Sequence, residues 1–113
     1  MKLVLLSSTI LLAVATGLRA DPLEVGDAQE GFVYAKAVCA NCHAIASNET
    51  SPVPEAPTFD EIANQAERSA ETVIERIQTV HPNMPNIPME REELIDLAAY
   101  ILSSNDEGPS NSQ

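Results

Sequence analysis

Cys39-Ala40-Asn41-Cys42-His43 gathers the only two cysteines of a 113-residue chain, and one of its two histidines, into five consecutive positions. Thiols spaced by two residues can add to the two vinyl groups of one haem, and an imidazole directly after them is then held beneath the iron. The C-x-x-C-H spacing therefore reads as attachment of one haem c through two thioether bonds, with Cys39 and Cys42 as anchors and His43 as an iron ligand. Other chemistries use the same spacing. A thiol–disulfide redox pair belongs with a thioredoxin-like fold, which needs strands in a βαβ order. A disulfide across so short a gap closes a very small loop and stabilises little. A zinc site needs further Cys or His ligands, and His81 is the only one left.

The first residues carry an address. Lys2 supplies a positive charge, Leu3 to Val14 an apolar run, and Ala15-Thr16-Gly17-Leu18-Arg19-Ala20 a stretch of small residues before Asp21-Pro22. That is the order of a secretory signal peptide. The run is shorter than the ~20 residues of a membrane-spanning helix, so an uncleaved anchor is the lesser alternative. We expect residues 1–20 to be removed after Ala20, with Gly17 as a second possible site, and the mature chain to be periplasmic without a stable membrane span.

Taking 20 residues from 113 leaves 93, enough for one small domain at 21–103. Domains of this size bury little apolar surface and often rely on a staple or cofactor. With no Trp, two Phe and two Tyr, the chain is short of core volume, which a haem supplies. The mature chain keeps four basic residues, Lys36, Arg68, Arg76 and Arg91, against all seventeen Asp and Glu, a formal charge of −13. Such a charge excludes nucleic acid, whose binding depends on neutralising phosphates. It favours redox partners with a basic docking patch, although solubility alone also accounts for an acidic surface.

The hydrophobic pattern predicts an all-α chain with about four short helices. Asp27 to Glu30 has the form of a capping box, and Ala28, Phe32, Ala35 and Val38–Cys39 follow on one face. From His43 to Pro57 the pattern stops. Thr58 to Glu61 forms a second capping box, opening a helix through about Gln65. Ser69 is placed to cap a third, with Val73, Ile74, Ile77 and Val80 as its stripe and Pro82 as its stop. The last helix is expected from about Glu90 to Ser103, burying Leu94, Leu97, Ala98 and Ile101, with Met89 and Leu94 as a hydrophobic staple. Residues 104–113 are polar and read as a disordered tail.

Met84, Met89 and His81 are the candidates for a second axial ligand. Met89 has a staple position to fill. Met84 instead lies in His81-Pro82-Asn83-Met84-Pro85-Asn86, an uncharged loop stiffened by prolines, and it is the favoured ligand to iron.

These features together resemble a small single-haem class I c-type cytochrome of bacteria. The resemblance runs from about Val25 to Leu102. It rests on Gly31 eight residues before the first Cys, the C-A-N-C-H pentapeptide, the Pro-rich loop, Met84-Pro85 and the closing Asp96-Leu97-Ala98-Ala99-Tyr100-Ile101. It implies the cytochrome c fold and a non-enzymatic one-electron carrier, in some cases the electron-accepting partner of a dehydrogenase. It also implies His43 and Met84 as iron ligands, and close crossing of the first and last helices at Gly31 and Tyr100. A loop proline carbonyl is expected to accept from His43, and among Pro52, Pro54 and Pro57 we favour Pro52. The chain departs from the pattern in having Ala35 where an aromatic often stands, with Phe32 and Tyr34 nearby, and in lacking a ring of Lys around the haem edge. The alternatives are a haem enzyme or gas sensor with an open sixth position, or a non-haem thiol redox protein.

Overall fold

The computed structural model describes residues 25–65, 69–79 and 81–104. The expected signal peptide, Val80 and residues 105–113 of the expected tail lie outside them. Among the described residues there are four α-helices and no strand. They are α1 (Ala28–Tyr34), α2 (Phe59–Gln65), α3 (Ala70–Gln78) and α4 (Arg91–Ser103), with a π-helical stretch, Ala35–Cys39, continuing α1.

Helix α1 starts where Asp27 adopts extended backbone and its carboxylate accepts from the Gln29 and Glu30 amides at 2.8 and 3.4 Å. The capping box is not completed as expected. The Asp27 amide goes to the Asp96 carboxylate of α4 at 2.7 Å, so the cap is shared between helices rather than closed by Glu30. At its other end α1 widens: the Ala40 amide donates to the Ala35 carbonyl at 2.9 Å, five residues back. Single π turns of this kind concentrate at functional sites, and this one delivers the chain to Cys39.

The second box forms as read. The Thr58 amide donates to Glu61 at 2.7 Å and the Glu61 amide to the Thr58 hydroxyl at 3.1 Å. Ser69 has the extended backbone of an N-cap, but its side chain makes no capping bond. Helix α4 begins after Glu90, whose amide donates to Glu93 at 2.8 Å, and it buries Leu94, Leu97, Ala98 and Ile101, the stripe its spacing predicts.

Helix α1 packs mainly on α4, and α3 and α2 also rest against α4. The α1–α4 crossing is close because two glycines permit it. A Cβ on Gly31 would collide with the Asp96 carbonyl and lie 2.8 Å from the Tyr100 Cβ, and one on Gly26 would collide with the Ile95 carbonyl. The core cluster joins Ala35, Ile45, Phe59, Ala63, Val73, Leu97, Ala98 and Ile101. Three of these are alanines, and Val73 and Ile101 are the largest fully buried side chains.

Candidate functional site: a haem attachment loop and a methionine turn

Cys39 closes the π turn, and the chain then turns tightly, with the Cys42 and His43 amides donating to the Cys39 carbonyl at 3.1 and 2.9 Å. That turn closes over the five residues that carry both thiols and the imidazole. Both thiols are unpaired, Cys39 half-buried and Cys42 exposed. Burial pushes the Cys39 thiol up to about 11, disfavouring its thiolate. A thioether carries no charge, so it suits that position.

The His43 Nδ1 lies 2.6 Å from the carbonyl of Pro57. A carbonyl oxygen can only accept, so Nδ1 carries the proton and Nε2 keeps the lone pair that a metal needs. The acceptor is thus Pro57 rather than the favoured Pro52. Pro57 is brought there because the 43–57 loop is tied down along its length. The Val53 amide donates to the Cys42 carbonyl at 3.2 Å, and the Phe59 amide to the Ala44 carbonyl at 3.0 Å. The buried Ser51 hydroxyl accepts from the Ala44 amide at 3.0 Å. Asp60 accepts from the Ser47 hydroxyl and the Asn48 amide, both at 3.2 Å.

A row of rings supports the imidazole. His43 lies 6.0 Å from Phe59, Phe59 6.1 Å from Tyr100, and Tyr100 5.3 Å from Phe32, all tilted or edge-on. The row links α1, α4 and α2 to the candidate ligand, and the Tyr100 hydroxyl donates to the Ile45 carbonyl at 2.8 Å, two residues beyond His43. Phe32 thus supplies the aromatic contact that Ala35 cannot. The place of Phe59 was missed in the sequence, although its position at the first turn of a well-capped helix was a signal that it is fixed in space.

Met84 ends a tight turn. The Met84 amide donates to the His81 carbonyl at 3.2 Å, Pro82 holds the first central position, and Asn83 has φ of 69°. Proline followed by a left-handed residue is the type II pattern. Met84 is half-buried at the end of this turn. Met89 instead packs on the core and lines the neighbouring grooves with Gln78 and Leu94, as a staple residue does.

The residues fit a covalently held haem. Unpaired thiols and an oriented imidazole with a free Nε2 provide the donors, and a core of small side chains gains from a large apolar ring. An all-α fold with a C-x-x-C-H turn, a proline-oriented histidine and a methionine turn is that of a haem c protein. The family model for cytochrome c matches residues 28–105. The cytochrome c-552 of Bradyrhizobium diazoefficiens is 34% identical over 92 residues, covering 81% of this chain and 88% of that protein. No solved structure matches. This chain belongs to the cytochrome c family, small electron-transfer proteins that carry haem c and its iron covalently. No described helix is long and apolar enough to cross a membrane.

Proposed function

We propose that the chain is a periplasmic one-electron carrier, not an enzyme, holding a single haem c through thioether bonds from Cys39 and Cys42, with His43 and Met84 as axial ligands. The observation that carries this reading is the His43 Nδ1 proton given to Pro57 at 2.6 Å, on the residue that directly follows two unpaired cysteines. It leaves Nε2 as the free donor and fixes the plane of the ring.

The bound group supplies the metal that changes oxidation state. The chain's own residues keep that change cheap. His43 is held by its hydrogen bond and the ring row, and Met84 by its turn, so neither ligand has to move between states. With His43 and Met84 holding it, the haem would gain a raised potential from the thioether and keep no place for small ligands. With both side chains fixed in this way, His43 and Met84 would stay in place while the group gains or loses an electron. Residues 80–89 contain no Asp, Glu, Lys or Arg, in a strongly acidic chain. A neutral patch with an acidic surround suits a partner bearing a basic patch, which long-range charge guides in and short-range contact seats.

The test is the chain expressed with haem-attachment machinery. The pyridine haemochrome spectrum is expected to report one haem per chain with both vinyl groups saturated, and Cys39→Ser or Cys42→Ser one vinyl retained. The ferric protein is expected to show the weak red absorption band of methionine–iron bonding. Chains without haem would remove the reading, and a missing red band would remove Met84 from it.

A further inference from the structure

The Met84 turn carries a second donor. His81 occupies its first position and Met84 its fourth, tied by the 3.2 Å bond between the Met84 amide and the His81 carbonyl. Residues at these positions of a β-turn have Cα atoms within about 7 Å of each other. The left-handed Asn83 and the fixed φ of Pro82 hold that spacing. The His81 ring is half-buried, and its Nδ1 is fully buried without a hydrogen-bond partner. Buried ring nitrogens are ordinarily satisfied by a protein donor or acceptor. Nothing among the described residues holds this one, so no bond has to break for the ring to turn onto a neighbouring acceptor.

We propose that His81 is a reserve axial ligand, an imidazole positioned to take the sixth place on the haem iron when the Met84 thioether leaves it. The inference rests on Met84 being the resting ligand. In the exchange the iron–sulfur bond to Met84 breaks and an iron–nitrogen bond to His81 forms. The neutral imidazole contributes its lone pair and keeps its proton on the other nitrogen, and no electron is gained or lost. Because methionine raises the potential relative to a second histidine, the exchange lowers the driving force for accepting an electron. The same short turn would thus hold both a working and a low-potential state.

The assignment is testable because the only other histidine is His43. The ferric holoprotein is compared as wild type, Met84→Ala, His81→Ala and the double variant, by visible absorption, electron paramagnetic resonance and redox titration. Met84→Ala is expected to lose the red band yet stay low-spin with two nitrogen ligands and a reduced potential. The double variant is expected to be high-spin, and His81→Ala alone to keep the red band. A high-spin Met84→Ala protein would overturn the reserve ligand while leaving Met84 as resting ligand. A double variant that stays low-spin would overturn it too, since another group then fills the site. A red band that survives in Met84→Ala overturns both this inference and the Met84 reading. If Met84→Ala loses its helical circular dichroism, Met84→Leu, which keeps the side-chain volume, carries the same comparison.

Discussion

Two backbone details decide how the side chains proposed as ligands are held. The proton on the His43 Nδ1 is placed by Pro57, so the lone pair on Nε2 follows from a residue 14 positions away. Asn83 does comparable work for Met84. It is one of two non-glycine residues with positive φ among the described residues, a conformation that costs most side chains about 1–2 kcal/mol and asparagine less. Asn83→Ala is therefore expected to lower the unfolding free energy of the holoprotein by about 1 kcal/mol. It should also weaken the red band, because a strained turn holds Met84 less firmly. Asn83→Gly, which accepts positive φ freely, is expected to keep both. Denaturant titration followed at the red band and by circular dichroism separates the two variants.

At the scale of the elements, the α1–α4 crossing is the joint on which the site depends. Its closeness comes from Gly26 and Gly31, and its ends are fastened by Asp96 on the Asp27 amide and by Tyr100 between Phe32 and Phe59. Gly31→Ala places a methyl against backbone and against the Tyr100 Cβ, neither of which can swing aside. Overpacking of this kind costs about 1–3 kcal/mol and sometimes more, and the upper end is expected here, read as a lowered guanidinium midpoint. The spectrum is expected to change less than the stability, because the atoms the added methyl meets belong to Asp96 and Tyr100 and not to the proposed ligands His43 and Met84. The crossing at Gly31 and Tyr100 follows from the family pattern. Gly26 and the Asp96 cap do not, because no local periodicity relates positions that far apart along the chain.

For the whole molecule the dominant quantity is charge. Should residues 1–20 be removed as proposed for a periplasmic chain, four basic residues stand against seventeen acidic ones, giving −13 before any haem propionate. Its attraction to a basic partner is screened over about 8 Å at physiological ionic strength. The bimolecular rate of electron exchange with a small basic redox protein is thus expected to fall by at least about tenfold from low to high salt. Stopped-flow mixing with a cationic and a neutral redox reagent, across a salt series, measures this. A rate insensitive to salt with the cationic reagent would leave the acidity as a matter of solubility.

The helices were legible in the sequence because their determinants are local. Thr58 with Glu61 and the three-to-four spacing of Leu94, Leu97, Ala98 and Ile101 act within a few residues, and both appear in the fold as read. The C-x-x-C-H spacing is local in the same way, since the attachment proposed for it needs two thiols and an imidazole at fixed short spacing. The choice of Pro57 over Pro52, the transfer of the Asp27 amide from Glu30 to Asp96, and the ring row through Phe59 were not. Each joins groups from separate segments, and the distance between segments is set by how the helices pack. Composition and spacing made this an acidic, all-α chain with a haem attachment motif. Packing chose which carbonyl orients His43 and which rings support it, because these contacts exist only after the chain has closed on itself.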